Sequence, residues 1–155
     1  MQGLPAEWPQ KDSTELFIKK ADGLFIWVAT MCEYLVHQVS PGKHLDFLLS
    51  GTGQSESRTE NKMNELYSTI LNTCNWDDED FVEGYGLLIG AILVAKIPLS
   101  ASALQSIHSA TLAVRVIDIL QPLASVLTGL EDPVRPIQIL HLSFWDFLTA
   151  RTVLT

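Results

Sequence analysis

A stripe of apolar side chains between residues 63 and 74 constrains the fold of this chain more than any other feature. Its members recur every three or four positions, as on one helical face: Met63, Leu66, Tyr67, Ile70, Leu71 and Cys74. Most of the stability of such a helix comes from packing that face against other apolar elements. We therefore expect a helical core built around this segment.

Five more segments have helical spacing bounded by caps, Gly or Pro: residues 12–35, 43–49, 77–96, 100–107 and 111–121. In the first, Asp12 and Glu15 have capping-box spacing, and Gly23 predicts a kink or a break. In the third, the acids at 77–80 fall in the first turn, where the helix dipole favours negative charge without any metal. The predicted caps of the last two are Ser100 or Ser102, and Thr111. Leu104 and Ile107 are predicted to face inward.

After Pro122 the spacing of the apolar residues changes from the helical pattern to one typical of strands. Residues 123–127 form a β-compatible run, and residues 137–141 alternate as a strand does. Ser143 and Asp146 repeat the capping spacing, which predicts a last helix just past His141. Three helices followed by a hairpin make a winged-helix arrangement. The predicted fold class is mainly α: a small helical domain, then a winged-helix domain with a short two-stranded β-hairpin.

The polar stretch at residues 50–60, SGTGQSESRTE, separates the two predicted domains. Its Gly and Ser content is typical of a flexible linker. Gly51-Thr52-Gly53 follows no strand and lacks the Gly-Lys-Ser/Thr ending of a phosphate loop. We therefore predict a helical domain at 1–50, a linker at 51–59 and a winged-helix domain at 60–155.

Composition limits the partners of the chain. The formal net charge of −8 disfavours nucleic acid and anionic membranes, and only 18% of residues are charged. Much of the surface is therefore expected to be apolar and to pack on protein partners or on a second copy. Cys32 and Cys74 are expected to be buried free thiols in a reducing compartment, and the alternative that the sequence leaves open is a disulfide between them. With no secretory signal and no membrane-length apolar run, we predict a cytoplasmic protein.

A winged helix usually suggests DNA binding, which needs several basic or amide side chains on the reading helix. Residues 111–121 offer Arg115 and Gln121 against Asp118, and the loop between the strands offers Arg135 against Glu131. Phosphate contacts usually need more cations than these. DNA binding is therefore the least favoured hypothesis.

A single histidine, His141, interrupts the apolar segment ILHLSFWDFL at 139–148. Taken alone, it is best interpreted as a partly buried side chain with a backbone partner. Its place at a strand-to-helix junction also suits a ligand contact, because apolar neighbours would exclude water. Ser143 beside it is interpreted as a helix cap rather than a nucleophile, since no acid is placed to orient the imidazole. Trp27 and Trp145 are expected in core or interdomain packing.

Four segments in order resemble fungal NACHT-type signalling ATPases, relatives of the NOD-like receptors that often carry WD repeats: ADGLFIWVAT (21–30), LYSTIL (66–71), IPLSASAL (97–104) and ILHLSFWDFL (139–148). The resemblance extends from about Trp8 to Arg151. It implies the region just after the nucleotide-hydrolysing core, where a helical domain and a winged helix follow. The phosphate-loop and magnesium motifs of that core are absent here. We therefore expect a fragment or truncated member that is not itself an enzyme, with ADP or ATP bound in the parent.

The resemblance also implies a nucleotide contact. In relatives, a histidine in a similar apolar–His–apolar–Ser–Phe pattern contacts the β-phosphate of ADP, and His141 occupies the matching position. A weaker match is Gly23-Leu24-Phe25-Ile26, where relatives have Gly-Leu-Pro-Leu and the proline lies near adenine. Phe25 replaces that proline, and it is interpreted either as a base contact or as core.

The function implied by the resemblance is control of a closed ADP state and an open ATP state. The implied partners are the upstream ATPase core and a downstream repeat domain. The alternative is a free-standing protein-interaction adaptor that does not bind nucleotide.

Overall fold

The computed structural model describes residues 8–50 and 59–152. The chain divides into two compact units, Met1–Met63 and Asn64–Thr155. Residues 51–58, nearly all of the predicted linker, lie outside the described part. The protein is mainly helical with one small antiparallel sheet, as the sequence predicts at this level.

The helices are α1 Lys11–Ala21, α2 Phe25–Val36, α3 Pro41–Ser50, α4 Thr59–Asn72, α5 Glu79–Val94, α6 Ala101–Ile107, α7 Val116–Leu120 and α8 Leu142–Thr152. A 3-10 turn covers Gln121–Leu123, and the strands are β1 Leu127–Thr128 and β2 Gln138–Ile139. Within residues 8–50 and 59–152, no helix has the length and apolarity needed to cross a membrane.

In the first unit, α1, α2 and α3 pack on one another. The predicted helix over 12–35 is broken into α1 and α2, because Asp22 and Gly23 both have positive φ angles of 50° and 75°. Such a left-handed residue ends a helix, and glycine adopts that conformation without strain. The predicted capping box at Asp12 is wrong: α1 begins at Lys11 without a side-chain cap.

The apolar stripe of α4 is buried as predicted: all six of its members are less than 10% exposed, and all but Met63 belong to the second unit. Tyr67 places its ring against two rings of α8, with centroids 4.9 Å from Phe144 and 5.4 Å from Phe147. The stripe of α4 therefore packs directly on the helix that follows His141.

The predicted start of α6 is confirmed, and that of α5 only in part: α5 begins at Glu79, so Asp77 and Asp78 lie before its first turn. Asp78 caps α5 by accepting hydrogen bonds from the backbone N–H groups of Asp80 and Phe81, and the first turn is acidic. Ser100 caps α6 by accepting from the N–H of Ala103. The inward placement of Ile107 is wrong, since this side chain is exposed.

The helix predicted over 111–121 is much shorter than expected. It covers only Val116–Leu120, and Thr111 does not cap it. The side-chain oxygen of Gln105 accepts a hydrogen bond from the N–H of Val116 over 2.8 Å. The first N–H group of α7 therefore has an acceptor that lies outside the predicted helix over 111–121. A long-range contact of this kind cannot be read from local periodicity.

The hairpin pairs Leu127 with Ile139 and Thr128 with Gln138 in antiparallel register. Its first strand begins at residue 127, later than the predicted run over 123–127, because Gln121–Leu123 forms a 3-10 turn. The N–H of Ile137 also bonds the carbonyl of Leu99 over 2.9 Å. The hairpin is thereby attached to the segment that precedes α6, and α8 then begins at Leu142 as predicted.

The two thiols differ in exposure. Cys74 is buried as expected, and burial raises its pKa to about 11. Cys32 is exposed, so its predicted burial is wrong. It lies on α2 away from the buried face of Trp27, Met31 and Tyr34. Neither cysteine forms a disulfide.

Candidate functional site

His141 immediately precedes α8, and its side chain is exposed. Its Nδ1 accepts a hydrogen bond from the backbone N–H of Ser143 over 3.1 Å, and its carbonyl accepts from the N–H of Phe144. The imidazole therefore caps the helix, so the assignment of Ser143 as the cap is wrong. The predicted backbone partner is present, but the predicted partial burial is not.

A second hydrogen bond reaches the same nitrogen. Ser143 Oγ lies 2.7 Å from His141 Nδ1 and 2.7 Å from the hydroxyl oxygen of Tyr67. A backbone N–H can only donate, so Nδ1 is an acceptor and carries no proton. The Ser143 hydroxyl then donates to Nδ1, and the Tyr67 hydroxyl donates to Ser143 Oγ. The neutral imidazole consequently carries its proton on Nε2.

Tyr67 anchors this chain of hydrogen bonds. Its side chain is 1% exposed, and burial raises the pKa of its phenol above the ordinary 10, while its hydrogen bond with Ser143 opposes that rise. The phenol is therefore protonated at neutral pH and available as a donor. No local pattern in the sequence marks Tyr67 as part of the site, because Tyr67 and Ser143 are 76 positions apart.

The outer nitrogen of His141 faces a different environment. Across the described ranges, Nε2 has no hydrogen-bond partner and no carboxylate bonds to it. The serine and histidine therefore lie together without the acid that a hydrolytic triad needs. What the arrangement offers chemically is one N–H donor at the N-terminal end of an eleven-residue helix.

Apolar side chains close to His141 in the sequence are partly exposed. Leu142 is 70% exposed, and a shallow concavity of about 380 Å³ is lined by Ile139, Leu142 and Trp145. Trp145 is 39% exposed, which contradicts the core alternative predicted for it; packing of Trp145 against another domain stays a prediction. Trp27, by contrast, is buried.

Phe25, the weaker candidate, is the first residue of α2 and is 80% exposed. Its interpretation as a core residue is therefore wrong. Phe25 belongs to the first unit and His141 to the second. The sequence had joined them only through the resemblance.

Other features of the described residues are less suited to a polar ligand. A cavity of about 360 Å³ in the first unit is walled by Trp8, Phe17, Cys32, Leu35 and Leu45, among others, and has almost no polar surface. In the part of the chain that the structure describes, no group of three His, Cys, Asp or Glu is placed to hold a metal ion.

Comparison with known proteins finds no family model, no curated relative and no solved structure that matches this chain. The class that the described residues define is a mainly helical protein with a small antiparallel hairpin.

Proposed function

We propose that the chain is a regulatory part of a NACHT-type signalling ATPase: a small helical domain followed by a winged-helix domain. In this proposal the two domains control a closed state with ADP and an open state with ATP. The observation that carries the proposal is the exposed Nε2–H donor of His141, fixed at the start of α8. It lies in the segment that resembles the nucleotide-contacting pattern of the family.

The element order of the second unit supports the winged helix. The helices α5, α6 and α7 precede the hairpin of β1 and β2, and α8 follows it. In a winged helix the hairpin packs beside the helices, and here Ser100 and Pro136 form an isolated bridge between hairpin and helical segment. The short α7 is the least typical element of this interpretation.

The proposed mechanism assigns His141 a bridging role. The upstream core of the parent would hold the nucleotide, and Nε2–H would donate to a β-phosphate oxygen of ADP. A hydrogen bond to a charged group stabilises by about 1.5–3 kcal/mol, which is roughly a 10- to 150-fold bias between two states. Exchange to ATP would change this contact and release the winged helix.

The test uses the parent ATPase loaded with fluorescent ADP. His141→Ala should release ADP at least roughly tenfold faster than the wild type, because the donor is lost. His108→Ala, which alters a second histidine of the same unit, should release it at the wild-type rate. Equal release rates for all three proteins would contradict the proposal, as would an upstream reading frame without a phosphate loop.

A second candidate is a protein-interaction adaptor without nucleotide. It is favoured by large exposed apolar side chains in both units, such as Phe25, Phe47, Val94, Ile97 and Leu142. On this hypothesis Leu142→Asp would weaken self-association or partner binding, which sedimentation at several concentrations measures. His141→Ala would leave the rate of ADP release unchanged. DNA binding is less favoured, because Arg115 bonds to Asp118 and Arg135 bonds to Glu131.

A further inference from the structure

We infer that Ser143 and Tyr67 are positioning residues for His141, which fix its imidazole in the Nε2–H tautomer. The outward nitrogen is thereby a hydrogen-bond donor to an anionic oxygen, and in this tautomer it has no lone pair with which to coordinate a metal ion. This inference rests on the proposed function for its purpose, since it states what His141 offers to a phosphate.

Two donors converge on Nδ1 and decide the tautomer. The N–H of Ser143 lies 3.1 Å from it and the hydroxyl of Ser143 lies 2.7 Å from it. If the proton moved to Nδ1, the backbone N–H would face another N–H and its bond would be lost. Loss of one neutral hydrogen bond corresponds to roughly a fivefold change in an equilibrium constant.

Tyr67 sets the direction of the serine hydroxyl. The backbone N–H of Ser143 makes Nδ1 an acceptor, so the Ser143 hydroxyl donates to Nδ1 and its oxygen is left to accept from the phenol of Tyr67, 2.7 Å away. The bond to Tyr67 then holds the single proton of Ser143 toward Nδ1. The phenol itself is held by ring contacts with Phe144 and Phe147. The anchor therefore lies on α4, outside the helix that His141 caps.

This arrangement defines the chemistry of the ligand. A neutral Nε2–H donates to a phosphate or carboxylate oxygen, and it needs no protonation of the ring to do so. The hydrogen-bonded chain makes His141 selective for acceptor oxygens at neutral pH.

The experiment reads the tautomer directly in the ¹⁵N-labelled 155-residue chain by long-range proton–nitrogen NMR at neutral pH. The Nε2–H form of His141 should predominate in the wild type. Ser143→Ala should lower the ratio of Nε2–H to Nδ1–H roughly fivefold, and Tyr67→Phe should lower it less. Ser143→Thr, which keeps a hydroxyl, should restore the wild-type ratio.

The matched control is Tyr34→Phe. It removes a buried hydroxyl that lies 2.9 Å from Nδ1 of another histidine, His44 in the first unit. It should change the tautomer of His44 and leave that of His141 unaltered. The positioning role would be overturned if the Nδ1–H form of His141 predominated in the wild type. It would also be overturned if the wild type and Ser143→Ala had the same ratio of Nε2–H to Nδ1–H.

The same variants separate this inference from the proposed function. In the parent ATPase, Ser143→Ala should release ADP faster than the wild type. If the spectra differ as expected while Ser143→Ala and His141→Ala both release ADP at the wild-type rate, the positioning stands and the phosphate contact fails. If the spectra do not differ, the positioning fails whatever the release rates are.

Discussion

Gly84 of α5 and Ile119 of α7 are packed so closely that a Cβ atom on Gly84 would overlap Cδ1 of Ile119. The same atom would lie 3.2 Å from Cδ2 of Leu112. This contact allows α5 and α7 to approach in the second unit. The glycine is therefore required by packing, although it lies inside a helix where alanine is intrinsically preferred.

Gly84→Ala is expected to destabilise the protein. Overpacking costs about 1–3 kcal/mol, and the gain in helix propensity offsets only about 1 kcal/mol of it. The measurement is the free energy of unfolding in urea. Gly86→Ala in the same helix is the control, because nothing lies within 4 Å of its added Cβ, and it should be neutral or stabilising.

The predicted clash between an alanine at position 84 and Ile119 can be tested with a second substitution. Ile119→Val removes the Cδ1 atom that Gly84→Ala would strike, so the double variant should recover part of the stability lost by the single one. Additive losses in the double variant would show that the contact between these two side chains is not the cause.

Gly129, beside the hairpin, is expected to tolerate alanine even less. Its φ angle is +86°, and an added Cβ would overlap the carbonyl oxygen of Pro136 and lie 2.9 Å from the carbonyl carbon. The left-handed conformation alone costs roughly 1–2 kcal/mol for alanine. Gly23→Ala isolates that cost, because Gly23 has a φ of +75° with nothing within 4 Å. Gly129→Ala should lower the unfolding free energy clearly more than Gly23→Ala; equal losses would contradict the steric argument.

Local signals in the sequence predict some of these elements and not others. The stripe of α4 is predicted correctly because a long periodic face must be buried somewhere, and Ser100 is predicted correctly because a cap acts on its own helix. The start of α7 is missed because Gln105 supplies its hydrogen bond from another element. His141 is found from its own segment, but Tyr67 is not, since only the folded chain brings it to Ser143.

Cys74 leads to a prediction about pH. Its pKa is about 11 in the folded protein against the ordinary value of 9.0, because burial disfavours the thiolate. The folded state therefore holds this proton more tightly than the unfolded state between these two values. The stability contributed by the thiol is fully present below pH 9 and is lost as pH rises through 11, by at most about 1.4 kcal/mol per pH unit.

The measurement is urea unfolding at several pH values between 8 and 11, roughly spanning the range between the two pKa values, under reducing conditions. Cys74→Ala should be less stable at neutral pH but should lose stability less steeply above pH 9. Tyr67 and Tyr34, whose pKa values burial also raises, remain in both proteins and cancel in the comparison. Parallel curves for wild type and variant would contradict a buried, neutral thiol at this position.

The cap of α8 gives the last prediction, which is independent of any nucleotide. His141→Ala removes the acceptor of the Ser143 N–H, and loss of an N-cap acceptor costs about 0.5–2 kcal/mol. His141→Asn supplies a side-chain oxygen at the same position and should recover most of that stability, but it replaces the ring and its Nε2–H. The two variants therefore separate the structural role of His141 from its proposed role as a donor. In urea unfolding His141→Asn should resemble the wild type, and in ADP release from the parent it should resemble His141→Ala. If His141→Asn matched the wild type in both measurements, the imidazole would have only the capping role.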